Sequence, residues 1–341
     1  MPLDTIYLTR HGHRLNWTID YKTGKYASQF PTPTGNPSDP TLTSHGVSQA
    51  HELAAHIVGE KVSPKPWRVY CSPFWRCLQT IQPTVEALDA AAKEQRKGRE
   101  GTGAGIEEGA DFGIRVENGI GEWFGSTTFF HHPTPPTLST LTSLPANNKP
   151  RAPFTLHESR TNALLYTSTS GESIPQLHNR LATALEGIIA EVDAEVAAIE
   201  ASQPPEKRTS KAIMICSHAA PLIAMGRVLT GHMPQDSNEE DFFVFTAGLS
   251  TFRRRGTGGE AVMKKGQDVL APGTRITDPV GTLVPEWEGG NGVGGGWDCI
   301  VNGDCSFLSG GAERGWHFNG EESFDTGPMA DSGEARLGMK L

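Results

Sequence analysis

The 341-residue chain reads as an α/β protein in three layers, with a mostly parallel central sheet and helices on both faces. Three observations carry this reading. Short apolar, β-branched runs recur at 5–9, 67–71 and 211–216, and such runs suit strands buried on both sides. Between them lie stretches with apolar residues at three- and four-residue spacing, the alternation that feeds a parallel sheet through crossover helices. Charged residues stand just past the carboxyl ends of the runs, where open α/β sheets bind their ligands.

The first strand, 3–9, leads into Arg10-His11-Gly12-His13-Arg14. Two guanidiniums and two imidazoles within five residues repel one another unless an anion sits among them. The turn therefore predicts a cationic cup with His11 at its centre. Residues 15–40 are rich in Thr, Pro and Gly without periodicity and read as a loop over the sheet end; Asn16 and Trp17 either line the pocket mouth or cover the core. Ser44 is the expected N-cap of a helix over 44–59, with Val47, Ala50, Ala54 and Ile57 on one stripe. The second strand, 67–71, ends in Ser72-Pro73-Phe74-Trp75-Arg76, and a helix carrying Leu78, Ile81, Val85 and Leu88 follows. Pro83 predicts a kink or a late start there.

Residues 91–110 are charged and Gly-rich and read as an insertion with no core to offer. A third strand, 112–116, runs into Gly119-Ile120-Gly121-Glu122-Trp123-Phe124. Six prolines in 125–154 predict a long irregular lid, with His131 and His132 exposed in it. The longest helix is expected over 173–201, then a buried strand over 211–216 ending in Ser217-His218, a helix over about 220–229 and a strand over 242–252. Twelve glycines in 256–296 predict a mobile loop; 299–308 returns as an edge strand, and Trp316-His317-Phe318 packs on the core. The expected organisation is one domain over 1–320 with insertions at about 91–110, 125–170 and 256–296, and a frayed tail over 321–341.

A net charge of −9 and a pI near 5.7 argue against direct nucleic-acid binding. The basic run Arg253-Arg254-Arg255 reads as a solvated strand end. No apolar run approaches the ~20 residues of a membrane span, and a strand beginning at the third residue predicts no signal peptide. Five cysteines without metal spacing fit reduced thiols in the cytoplasm or the nucleus. His11-Gly12-His13 has the look of a metal-binding His-x-His, but Arg10 and Arg14 would repel a dication.

Five short motifs occur in the order found in one family. Thr9-Arg10-His11-Gly12, Leu42-Thr43-x-x-Gly46-x-x-Gln49-Ala50, the Ser72 to Thr80 segment, Gly171-Glu172-Ser173 and Ser217-His218-Ala219 resemble the signatures of the histidine phosphatase superfamily, with the phosphoglycerate mutase-like fold. Ala219 stands where that family usually has glycine. The resemblance implies a metal-independent phosphomonoester hydrolase that needs no cofactor. By that resemblance His11 takes the phosphoryl group, and the roles that follow are implied in the same way. Arg10, Arg14, Arg76 and His218 hold its oxygens. Glu122 is the proton donor, its pKa raised by the flanking Trp123 and Phe124. The bland alternative for Glu122 is a solvated residue in a Gly-rich turn.

Arg-His-Gly-x-Arg-x-Asn-Trp and Gly-Ile-Gly-Glu-Trp are similar to the branch that holds the phosphatase-like domain of the small tau subunit of fungal transcription factor IIIC, and more distantly to phosphotyrosine phosphatases. The segment from Asn302 to Gly311 and Trp316-His317-Phe318 extend the likeness. In that branch a further C-terminal region joins the complex. This chain ends at Leu341 without a counterpart, so the expectation is a free-standing phosphatase, monomeric or dimeric, acting on a phosphorylated small molecule or phosphoprotein. The rival is a non-catalytic or weakly catalytic interaction subunit of the RNA polymerase III machinery, with protein partners there. A third reading, phosphoglycerate mutase proper, lacks any evident site for a carboxylated three-carbon substrate.

Overall fold

Fifteen helices and strands follow one another from the N-terminus: β1 (Leu3–Arg10), β2 (Trp17–Asp20), β3 (Lys25–Ser28), α1 (Ser44–Val58), β4 (Pro66–Cys71), α2 (Trp75–Arg96), β5 (Ile114–Val116), α3 (Leu138–Ser143), β6 (Leu165–Tyr166), α4 (Ile174–Glu200), β7 (Lys211–Ser217), α5 (Ala219–Thr230), β8 (Leu249–Arg254), β9 (Arg275–Ile276) and β10 (Trp297–Asp304). This computed structural model describes residues 3–20, 22–98, 105–144, 154–157, 159–160, 162–256, 262–264, 269–277 and 284–318, and that count of elements refers to them.

Six strands form the central sheet in the order β10-β8-β1-β7-β4-β5. The pairs β1/β7, β7/β4 and β4/β5 are parallel, whereas β8 and β10 add an antiparallel edge. Successive side chains of a strand point to opposite faces, so each buried strand feeds two cores. Ile6 and Leu8 of β1 and Ile213 and Ile215 of β7 pack with α4 and α5. Tyr7, Met214 and Cys216 pack on the other side with α1 and α2. This is the mostly parallel, three-layer arrangement that the alternating pattern predicts.

Several local expectations are corrected. Residues 15–40 contain a hairpin, β2 paired with β3, in which Trp17 and Ile19 turn inward. The N-cap of α1 is Thr43, whose side chain accepts from the Gly46 N–H, one residue earlier than expected. α2 begins at Trp75, ahead of Pro83 rather than after it, and reaches Arg96. The 91–110 stretch therefore starts as helix, and Ala92 and Ile106 in it are buried. The 125–170 stretch contains α3 and β6. Strand β8 begins at Leu249, not at 242: Ala247 has φ +55°, which breaks an extended run before it. Far from being all loop, 256–296 supplies Val284, Trp287 and Val293 to the core. Arg254 is no solvated strand end: it pairs with Asp193 at 2.8 Å and lies over Trp297. The expected tail, 321–341, lies outside the described residues, as do 99–104, 145–153 and 278–283 within the expected insertions.

Candidate active site

The parallel ladder aligns the strand ends. Arg10 stands opposite Ser217, and Cys71 stands opposite both Cys216 and Val116. Each strand is carried one residue further by a backbone bond: His11 N–H to Ser217 O at 3.0 Å, Ser72 N–H to Cys216 O at 3.0 Å and Glu117 N–H to Cys71 O at 3.0 Å. Residues far apart in sequence thereby meet at one edge of the sheet. Rings of His11 and His218 lie 5.4 Å apart, and one ligand atom each of His11, Glu122 and His218 fall within 4.8 Å of one another.

The cationic turn is clamped from two sides. The Gly12 N–H donates to Thr80 Oγ1 at 2.9 Å, and the His13 N–H donates to Gln49 Oε1 at 2.8 Å. A Cβ on Gly46 would stand 2.0 Å from the His13 carbonyl oxygen, so the first turn of α1 can touch the Arg10 to Arg14 backbone only with glycine there. His13 faces Thr43 Oγ1, away from His11. His11 is buried, with its Nδ1 2.8 Å from the Gly12 carbonyl oxygen. A carbonyl only accepts, so Nδ1 carries the hydrogen and Nε2 keeps the lone pair. Burial, then Arg76, Arg10, His218 and Arg14, push the His11 pKa well below its ordinary value, which keeps the ring neutral.

Arg76 is fully buried at the start of α2. Its Nη1 donates to Ser38 O at 2.9 Å and lies 3.5 Å from Asp39 Oδ1. Its Nη2 meets Glu122 Oε2 at 2.9 Å and His218 Nδ1 at 3.1 Å. Burial raises the Asp39 carboxyl to about 6 against the pull of Arg76. His218 caps α5 through its backbone, and its Nε2 lies 2.7 Å from Ser72 Oγ. Glu122 Oε2 also lies 3.1 Å from His218 Nδ1. Burial alone would raise the Glu122 pKa, but His218, Arg76 and Arg14 together hold it far below the carboxylate range. The expected raised pKa is therefore not found. Glu122 is partly buried, and the cations outweigh the effect of that burial.

A cleft opens over this group, lined by Arg10, His11, Arg14, Glu122, Ala219 and Ala220 and walled by Trp17, Trp123 and Trp316. Trp17 does both things the sequence left open: it is buried and it lines the cleft; Asn16 is exposed. Arg10 Nη1 donates to Val244 O at 3.1 Å, and Arg14 lies over Trp17, 5.8 Å from the ring centroid. Every residue proposed from sequence for the site is thus brought to this sheet edge. His132, expected to be exposed, is instead buried: it stacks on Phe124 and meets the Tyr26 hydroxyl at 2.5 Å. By donor type His11, Glu122 and His218 would suit a divalent ion, but one carboxylate against three guanidiniums gives a dication a repulsive site. The sequence reading missed Ser38 and Asp39, which hold Arg76 from a stretch without pattern, and Ser72, whose hydroxyl faces His218.

Residues 6–123 match the family model of the histidine phosphatase superfamily, branch 1. The class that this stretch resembles is therefore the histidine phosphatase superfamily. The chain is 26% identical over 323 residues to the transcription factor tau 55 kDa subunit of Saccharomyces cerevisiae, covering 94% of this chain and 59% of that protein. It is 25% identical over 255 residues to ecdysteroid-phosphate phosphatase of Drosophila melanogaster, covering 69% of this chain and 28% of that one. The chain thus spans less than two thirds of the length of either relative. Among solved structures, ecdysone phosphate phosphatase from Bombyx mori with tungstate aligns with a TM-score of 0.47 at 17% identity, over 82% of this chain and 97% of that one. Phosphoserine phosphatase from Entamoeba histolytica aligns with a TM-score of 0.36 at 18% identity, over 73% and 89%. Among the described residues no helix is long and apolar enough to cross a membrane.

Proposed function

We propose that the protein is a metal-independent phosphomonoester hydrolase working through a phosphohistidine on His11, with no cofactor. The observation that carries this is the state of His11: neutral, its hydrogen held on Nδ1 by the Gly12 carbonyl, its Nε2 lone pair free among cations. In the first step Nε2 attacks phosphorus, the N–P bond forms and the P–O bond to the leaving group breaks. Arg10, Arg14, Arg76 and His218 neutralise the non-bridging oxygens, and positioning with charge neutralisation is most of what phosphoryl transfer requires. Guanidiniums suit this task because they grip two oxygens and stay protonated. Glu122 gives its proton to the leaving oxygen, then takes one from the water that attacks the phosphohistidine. An entering phosphoryl group competes for His218, Arg76 and Arg14, the groups that hold the Glu122 carboxyl below its ordinary range. Stripped of them beside an anion, the carboxyl takes up the proton that the leaving group needs.

His11→Ala is the test. It should lower turnover of para-nitrophenyl phosphate by at least about a thousandfold. Labelled substrate should leave acid-labile, alkali-stable phosphate on the wild type only. Full activity of the purified mutant would overturn the assignment. EDTA should leave activity unchanged; its loss with rescue by zinc would restore the metal reading.

A second reading rests on the likeness to the tau subunit across 94% of this chain. On it, the protein is an interaction subunit of the RNA polymerase III factor IIIC machinery, at work in the nucleus, and the cup is an anion site without turnover. Vanadate binding with no hydrolysis of any phosphomonoester would decide for it. The hydrolase reading takes a phosphorylated small molecule or phosphoprotein as substrate and fits either cytoplasm or nucleus.

A further inference from the structure

Gly171-Glu172-Ser173 has no part in the chemistry above, yet it ends against the turn that carries Glu122. Ser173 caps α4 through a capping box with Gln176, which fixes where the helix starts. Two turns further on, Arg180 is fully buried, and its side chain returns to Glu172, itself 2% exposed. Arg180 Nε donates to Glu172 Oε1 at 2.7 Å, and Nη2 to Oε2 at 2.9 Å. Nη1 donates to the carbonyls of Gly119 at 2.8 Å and Gly121 at 3.1 Å, and Nη2 reaches the Glu122 carbonyl at 3.5 Å. A guanidinium has five N–H donors, and here five acceptors take them: two on Glu172 and three along the turn before and at Glu122.

The other half of the pair holds the turn from beyond Glu122. The Glu172 carbonyl accepts from Trp123 Nε1 at 3.0 Å, and the Glu172 N–H donates to Phe124 O at 2.8 Å. Gly171, at φ +74°, lies where a Cβ would stand 2.1 Å from Gly125 O. So the backbone carbonyls of Gly119, Gly121, Glu122 and Phe124 and the Trp123 indole are tied to Arg180 and Glu172, neither of which lines the cleft.

We propose that Arg180, oriented by Glu172, is a positioning residue that aims the Glu122 carboxyl at the leaving oxygen. The proposal rests on the reading of Glu122 as the proton donor. Lysine at 180 keeps the charge but offers three donors on one atom and cannot span the five acceptors.

The test compares leaving groups. Para-nitrophenolate leaves with little protonation, whereas the tyrosyl oxygen of phosphotyrosine needs more. In Arg180→Lys, kcat/KM for phosphotyrosine should fall at least tenfold further than kcat/KM for para-nitrophenyl phosphate. In a Glu122→Gln background the same change should add no such selective loss. A merely structural arginine would lower both substrates equally, through the folded fraction, and that result overturns the proposal if Glu122→Gln alone still discriminates between the substrates. If Glu122→Gln does not discriminate, the proton-donor reading itself fails and the proposal with it. Should Arg180→Lys not fold, as judged by vanadate binding, Glu172→Gln, which keeps the shape and loses the charge, is held to the same tenfold criterion.

Discussion

Arg76 ties more of the site together than any other side chain: a loop carbonyl, a buried carboxylate, the proposed proton donor and the second histidine all meet its two terminal nitrogens. From sequence it is a phosphate ligand alone. The structure adds a second duty, because the buried Ser38 carbonyl would lose the Arg76 Nη1 donor and Asp39 its charged neighbour if the side chain were shortened. Arg76→Lys should therefore cut activity at least about a hundredfold and also lower stability by about 1–3 kcal/mol, the cost of leaving buried groups unsatisfied. Denaturant unfolding beside a phosphatase assay checks both; unchanged stability would mean that the loop does not depend on this side chain. The same environment sets the pH profile. The depressed pKa of His11 keeps Nε2 unprotonated well below pH 6.5, so the acidic limb of kcat/KM should lie below 6.5 rather than at it. A limb at 6.5, with the His11 ring itself titrating there by NMR, would contradict the buried, cation-flanked ring. At this scale His11, Arg10 and Arg14 were legible because an apolar strand ends abruptly in cations. Asp39 and Arg180 were not, since their partners are distant in sequence and no spacing announces them.

Among the elements, the first turn of α1 matters most to the site, because the cationic turn is folded onto it. Gly46→Ala would drive a Cβ into the His13 carbonyl at 2.0 Å, where backbone meets backbone and neither can rotate away. The expected outcome is a loss of more than about 2 kcal/mol, with phosphate affinity falling in the fraction that still folds. Gly35→Ala, in open space but at positive φ, is the control for backbone strain alone; equal losses for the two would refute the clamp. The parallel strands were readable as short apolar, β-branched runs and the long helices from period 3.6. The hairpin of β2 and β3 was not, because four-residue strands among Thr, Pro and Gly leave too few positions to register alternation. Residues 242–248 misled for another reason: Phe242, Val244 and Phe245 look like a strand, but this stretch wraps Arg10, giving it the Val244 carbonyl.

For the molecule as a whole, the balance of buried titrating groups predicts acid lability. His11 is held neutral well below 6.5, and burial depresses His132 and His178 to about 4. An unfolded chain would protonate all three as pH drops below 6.5. Asp39 works the other way: its folded value of about 6 exceeds 3.8, so the native state binds one proton first. Three histidines less one carboxyl leave an excess of about two protons on the unfolded state near pH 5. Each proton is worth about 1.4 kcal/mol per pH unit, so stability should fall by roughly 3 kcal/mol per unit there. Urea midpoints between pH 6.5 and 4.5 measure this; a flat or rising series would contradict the buried neutral histidines. The overall class was legible because alternation of strand and helix is a property of long stretches. The contribution of Val284, Trp287 and Val293 was hidden by the glycines around them, which mark tight turns between anchored residues rather than looseness.

The walls of the cleft have an optical consequence. Trp17, Trp123 and Trp316 line it, while Trp67, Trp75, Trp287 and Trp297 do not. Three indoles thus surround the place where an anion would displace the Glu122 carboxylate, and indole emission responds to nearby charge and to water. Titrating the unmodified protein with vanadate should change its emission in a saturable way, and Trp316→Phe should diminish that signal. The molecule carries its own gauge of occupancy, readable before any substrate is known.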